Sequence, residues 1–397
     1  MILSLLFFIH SISASFLTGG VMPDGKVDKV VEAPDEWHAP IYGADVRVSF
    51  APNWHSLQQW NEASIGVGLG YWNMGHEKLG HAITPYIYMD VPLVKLKYFE
   101  LGLRPGLGAA FMTKTYRNTV SEDQMFVSLG DANSCIGSIT NLYFPEAMYM
   151  SFPLMKGWGI SLSGGWYHIS NGSVRQPNSG YNIFAGELGV TKRFDNQDGN
   201  EKSIVSISQS LTEEKKWSVA VSGTFGGRQV YHADQQTFFV SSMHAAAYWH
   251  ACNIFRLGGG LDVFYDGAYI PRKTNFVKTN LLLAQPGDCW RVGLSVQPEF
   301  VVGNFTTGLH IGAYMYDPVK ELEPRWEEDG LPAERLDKPV FYAYNLLKAG
   351  TPRNPDGWLY TEVVLRYHLP WNIFVQGMMK SHLTKVEFVS LGIGFWY

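Results

Sequence analysis

The sequence predicts an all-β protein, an antiparallel transmembrane β-barrel of the outer-membrane type with about 14 strands (roughly 12–16). Three observations lead there. The 397 residues are 14% aromatic and only 17% charged, with 41 glycines. Mean hydropathy is nonetheless near zero, which excludes a helical membrane protein. From Tyr42 onward, segments of roughly ten residues alternate large apolar side chains with small or polar ones, the period-2 signature of barrel strands. The connections between segments alternate short and long, as periplasmic turns and outer loops do.

The N-terminus reads differently. Met1 to Ile9 is apolar except for Ser4 and is followed by Ser11, Ser13, Ala14 and Ser15, which predicts a secretory signal peptide over 1–20. Residues 21–41, rich in Pro, Asp and Lys, form an irregular lead-in. The barrel is then expected over 42–397, with 195–397 supplying additional strands that close the same ring as 42–194.

Within it, Ile65, Val67, Leu69 and Tyr71 oppose Ser64, Gly66, Gly68 and Gly70. Phe255, Leu257, Leu261, Val263 and Tyr265 oppose Arg256, Gly258, Gly260 and Asp262. The pattern recurs over 291–296, 305–315 and 359–368. A soluble sandwich would need bulky apolar residues on its inner faces. Here those faces carry Gly and Ser with scattered charges (Glu187, Arg193, Arg256, Asp262, Glu362, Arg366), which suits a filled or wet lumen.

Short connections fall near 94–95, 153–156, 251–253, 303–304 and 370–371. Long ones fall near 73–82, 113–136, 170–181, 266–289 and 317–357. That register sets the 170–181 loop at the outer-leaflet rim. Trp249, Trp290, Trp358 and Trp371 lie near segment ends and read as aromatic girdles. Lys202 to Gln209 alternates weakly and finds no place. The last segment puts Val389, Leu391, Ile393, Phe395 and Tyr397 on one face. A final apolar strand ending in an aromatic resembles those read by the outer-membrane assembly machinery, an expected partner.

A net charge of −5, with no basic stripe, excludes nucleic acid as a partner. Cys135, Cys252 and Cys289 match no metal or redox spacing. A Cys135–Cys289 or Cys252–Cys289 bridge is one reading, and non-functional thiols are the other.

The chemistry concentrates in 157–194. Trp158, Ile160, Leu162, Trp166, His168 and Ser170 share one strand face, and Asn182, Phe184, Leu188 and Val190 share another. A histidine beside a serine can activate it as a nucleophile, and here the pair sits on the apolar side, which implies a lipid substrate. Spacing alone is also satisfied by an interfacial histidine followed by turn residues.

The stretch His168-Ile169-Ser170-Asn171, followed by Gln176-Pro177-Asn178-Ser179-Gly180, resembles the active-site signature of the outer-membrane lipid A 3-O-deacylases (the PagL type). The resemblance is specific over about 166–182, looser over 42–194, and extends to the closing KSHLTKVEFVSLGIGF. It implies a barrel that removes an ester-linked acyl chain from lipid A or lipopolysaccharide in the outer leaflet of the bacterial outer membrane, with no cofactor and no metal. It implies His168 as base, Ser170 as nucleophile, and Asn171 and Asn178 assisting the oxyanion; on the residues alone, the loop amides around Gly172 are a further candidate to hold it. The smallest members are eight-stranded, so the resemblance leaves the C-terminal half unexplained. Where the family carries a catalytic Glu, this chain has Asn182. An asparagine orients a neutral imidazole but does not offset an imidazolium. Three outcomes follow: a slower Ser-His-Asn hydrolase, a borrowed acid, or an inactive scaffold. Glu187 falls on the lumen parity, away from His168.

His76 and His81 match no trusted ligand geometry, and Glu321 to Asp329 reads as a solvated loop. The rival class is a porin-like or structural barrel, because extra strands and a Gly/Ser lining suit a wider pore.

Overall fold

The computed structural model describes residues 9–21, 40–51, 57, 60, 62–120, 132–194, 203–204, 216–230, 236–270, 286–317, 358–382 and 385–397. Two compact units emerge: residues 1–171 with 177–207, and residues 172–176 with 208–397. Each contains one closed barrel.

The first barrel runs β1 (Ile9–Val21), β2 (Ile41–Phe50), β3 (Ser64–Asn73), β4 (His81–Leu96), β5 (Phe99–Met112), β6 (Thr140–Pro153), β7 (Trp158–Ser170) and β8 (Tyr181–Arg193). Successive strands pair antiparallel, and β8 returns to β1 from Ser11↔Arg193 to Val21↔Ile183. β9 (Ser203–Ile204) adds a two-residue pairing to Val94 and Lys95 of β4; the rest of 202–209 lies outside the described residues. Outward positions such as Val67, Leu69, Ile83, Ile87, Leu188 and Val190 are exposed, forming a surface that only lipid can cover favourably.

The middle of the lumen is filled, while its short-turn end opens into a cavity of about 610 Å³ lined by Ser11, Ser13, Arg104 and Ser161. Arg47 bridges Asp45 (2.8 Å) and Glu187, Tyr86 donates to Asp45 (2.8 Å), and Arg104 pairs with Asp90 (2.6 Å). Pairing these charges inside spares them the cost of facing hydrocarbon. The lumen glycines are sockets rather than open wall. A Cβ on Gly68 would lie 2.3 Å from the ring of Tyr86, its cross-strand partner.

The second barrel runs β10 (Trp217–Arg228), β11 (Phe238–Cys252), β12 (Phe255–Asp266), β13 (Trp290–Val302), β14 (Phe305–Tyr316), β15 (Leu359–His368), β16 (Ile373–His382) and β17 (Lys385–Trp396). Pairing of β10 with β17 closes it. Leu257, Leu261, Leu309 and Ile311 point outward, while Arg256, Asp262, Glu362 and Arg366 are buried in the lumen. This is the division of faces that the alternation predicts. Trp217 and Trp249, directly opposite on β10 and β11, are exposed near the short-turn end as girdle residues should be.

Three expectations need correction. The segment expected as a leader is largely a strand: residues 1–8 lie outside the described residues, but Ile9–Val21 is hydrogen-bonded to β2 and β8. Ser11 and Ser13, read as part of a cleavage zone, are buried in the lumen, alternating with exposed Ile12 and Phe16. Small residues every second position make a lumen face as readily as a processing site. The single ring of about fourteen strands is two rings of eight. Without β1 the first group has seven members, an odd number that cannot close antiparallel. The wide-pore rival falls with the single ring, because an eight-stranded interior is only wide enough for side chains. The lead-in over 22–39 and the acidic stretch 321–329 lie outside the described residues. None of the three cysteines is bonded to another described cysteine.

Candidate active site

Strands β7 and β8 set the site by register. His168 stands directly opposite Asn182, and on its other side opposite Phe144 of β6. Opposed side chains on one sheet face lie close enough to interact. Below them the outward face is apolar and exposed at Trp158, Ile160, Leu162, Phe184 and Leu188. His168 and Ser170 share that outward parity yet are buried, 8% and 2% exposed. Trp166 stacks on the imidazole at 5.2 Å, and Phe144 packs at 6.2 Å from its other neighbour strand.

The hydrogen bonds fix the protons. The Oδ1 atom of Asn182 accepts from Trp166 Nε1 at 3.2 Å and meets His168 Nδ1 at 2.8 Å. An indole nitrogen can only donate. The Asn182 atom between the two rings is therefore the carbonyl oxygen, and the imidazole nitrogen facing it carries its proton. Nε2 of His168 is then left with a lone pair, the tautomer a general base requires.

The same reasoning orients Asn178. Its Oδ1 accepts the Asn171 backbone N–H at 3.0 Å, so its Nδ2 faces Ser170 and donates to Oγ at 3.0 Å. The Asn171 side chain donates to Ser138 Oγ at 2.8 Å. Gly172 adopts φ +64° and falls, with residues up to Gln176, in the second compact unit. Asn178 forms an isolated bridge with Ile136, and Gly180 N–H donates to Cys135 O at 3.0 Å. The 133–139 stretch thus props the 176–180 loop.

Sequence reasoning missed three contributors. Trp166 read only as part of an apolar face; its parity with His168 was the available signal. Ser138 lies in a remote loop, and nothing local marks it. Gly180 has φ +74°, and a Cβ there would stand 2.9 Å from Ile169 O, 3.1 Å from His168 Cε1 and 3.4 Å from Ser170 Cβ. Gly180→Ala therefore combines backbone strain with a push on the imidazole edge. It is expected to lower kcat by roughly 10- to 100-fold in a barrel that still folds, checked by steady-state kinetics beside the unfolding profile.

Glu187 stays in the lumen with Arg47. Glu146 shares the outward face and stands opposite Trp166, but its carboxylate takes the Gly106 backbone N–H of β5, on the side away from β7. His76 and His81 have local partners: Lys78 N–H donates to His76 Nδ1 (3.1 Å) within the β3–β4 loop, and His81 Nδ1 at the start of β4 meets Tyr71 OH of β3 (3.0 Å).

The profile described as lipid A 3-O-deacylase (PagL) matches residues 42–191. A second, described as acyloxyacyl hydrolase, C-terminal domain, matches residues 215–334. The chain belongs to the lipid A 3-O-deacylase family. Family membership brings the function, deacylation of lipid A, and the location, the bacterial outer membrane. The second match accounts for the half of the deacylase that the active-site signature left unexplained.

No curated protein matches the sequence. Among solved structures, Neisserial surface protein A aligns at 12% identity over 46% of this chain and 96% of its own, with a TM-score of 0.27. CdiB from Acinetobacter baumannii aligns at 9% identity over 98% of this chain and 60% of its own, TM-score 0.19. A Rh. blastica porin mutant aligns at 9% over 99% of this chain and all of its own, TM-score 0.19. At such scores none bears on the fold, which rests on the strand pairings.

Proposed function

We propose that this deacylase works as a Ser-His-Asn hydrolase, with Ser170 as nucleophile, His168 as base and Asn182 as the group that fixes the base. The observation that carries this reading is the shared Asn182 oxygen, which gives His168 the working tautomer without a carboxylate.

Lipid A of the outer leaflet enters laterally, its acyl chains lying along the exposed apolar face below the site. As Oγ of Ser170 bonds to the ester carbonyl carbon, its proton passes to His168 Nε2 and the carbonyl electron pair moves onto oxygen. Asn178 Nδ2, already aimed at Oγ, is placed to donate to that oxyanion. Asn171 holds Asn178 in that pose through its backbone N–H. Collapse breaks the ester C–O bond, and the imidazolium returns its proton to the leaving lipid A hydroxyl. Water, deprotonated by His168, then frees the fatty acid. The chemistry needs no metal or cofactor. The face of β17 with exposed Leu391, Ile393 and Phe395 offers the assembly machinery its apolar strand.

The test is the lipid A mass spectrum of cells expressing the protein, set beside cells expressing Ser170→Ala. Loss of one acyl chain only with the intact serine is expected. The same loss with alanine at that position would sink the assignment.

A further inference from the structure

The lumen of the second barrel holds a group of side chains that deacylation does not use. His244 of β11 stands opposite Asp262 of β12, and His310 of β14 stands opposite Glu362 of β15. All four are buried. His244 Nδ1 lies 2.8 Å from Asp262 Oδ1 and 3.8 Å from Glu362 Oε2, and His310 Nδ1 lies 3.6 Å from the same Glu362 oxygen. One donor atom each from His244, Asp262 and Glu362 fall within 4.8 Å of one another. Four ligands around a tetrahedral zinc ion, at about 2.0–2.1 Å each, stand about 3.3–3.4 Å apart.

The second observation is what the cluster lacks. Among the described residues, both carboxylate oxygens of Glu362 and Nδ1 of His310 have no hydrogen-bond partner, although Glu362 is 0% exposed. A buried carboxylate without donors is costly. The neighbouring cations are committed elsewhere: Arg256 and Arg366 to Glu299, and Lys380, opposite Glu362 on β16, to Tyr314 and Glu387. The outer contacts suit ligands. His244 Nε2 meets Ser242 Oγ at 2.8 Å, His310 Nε2 meets Glu299 Oε1 at 2.9 Å, and Tyr360 donates to Asp262 Oδ2 at 2.6 Å. With each Nε2 acting as donor, each Nδ1 presents a lone pair to the centre, the second-shell arrangement that orients metal-bound histidines.

We propose that His244, Asp262, His310 and Glu362 bind one divalent transition-metal ion of the zinc class inside the second barrel, as a closed structural site. Two imidazoles and two carboxylates suit that class, and the ion's charge offsets two carboxylates that make no salt bridge to an Arg or Lys among the described residues. Ser242, His244 and Asp262 also align as a hydrolase triad would, but each is at most 6% exposed within a filled lumen, where no ester reaches.

The test uses the full-length protein in detergent, stripped with chelator and given Zn2+ or Co2+. About one zinc per chain is expected, with an unfolding midpoint raised by about 5 °C or more. Co2+ is expected to give the intense visible bands of a tetrahedral ion. Glu362→Gln and His310→Gln should each lose most of the bound metal and the cobalt bands. Chelated Glu362→Gln should be at least as stable as the chelated parent, because it removes an orphaned charge. If the stripped parent takes up neither metal and its midpoint stays put, the proposal is overturned, whether or not the variants fold.

Discussion

Alanine at Ser170 or at His168 lowers lipid A deacylation by roughly 10⁴-fold or more, and the double substitution costs no more than either single one. The reasoning is chemical. Neutral serine is a poor nucleophile, and His168 presents an unprotonated Nε2 only because Asn182 holds its Nδ1 proton. Remove either partner and the other has nothing to act on, so the losses do not add. Both side chains are small components of a strand end whose pairing is made by backbone atoms, so the barrel should fold in all three variants. The check is the rate of fatty acid release from lipid A in mixed micelles. Additive losses would mean that the two residues work separately.

Restoring the acid, Asn182→Glu, raises that rate by about 100-fold. A carboxylate here can accept the same two N–H groups, from Trp166 and His168, and adds a negative charge beside the imidazolium formed in the transition state. That charge is worth a few kcal/mol at close range in a partly screened site. In proteases, putting Asn where an Asp belongs is ruinous chiefly because the wrong tautomer results. Here Trp166 prevents that error by donating to the Asn182 oxygen. Trp166→Phe in the native background therefore frees the Asn182 amide to turn its NH2 toward the imidazole, and about tenfold or more of the rate is lost. In the Asn182→Glu background, where both oxygens accept, Trp166→Phe costs little. An equal loss in both backgrounds would assign Trp166 to packing alone.

The fold was legible in alternation, because lipid outside and polar filling inside impose a period of two on every strand. What alternation does not encode is which strand closes a ring. Ser11, Ser13 and Ala14 fit a cleavage zone and a lumen-lipid alternation equally well, and reading them as the former hid β1 and merged two barrels into one. The glycine faces suggested open space because the tyrosines that fill them, such as Tyr86 over Gly68, come from neighbouring strands. In the site, parity put His168 and Asn182 on one face, where they meet at 2.8 Å. Trp166 needed the β7–β8 register, Ser138 needed a loop more than thirty residues away, and the four lumen donors of the second barrel are scattered from 244 to 362.

The most direct measurement of the central account is covalent trapping of the nucleophile. The detergent-solubilised protein is treated with a long-chain alkyl fluorophosphonate, and its peptides are mapped by mass spectrometry. One adduct per chain is predicted on the peptide carrying Ser170, absent in His168→Ala. Labelling of a different serine, or an unlabelled Ser170 in protein that still deacylates lipid A, would contradict it.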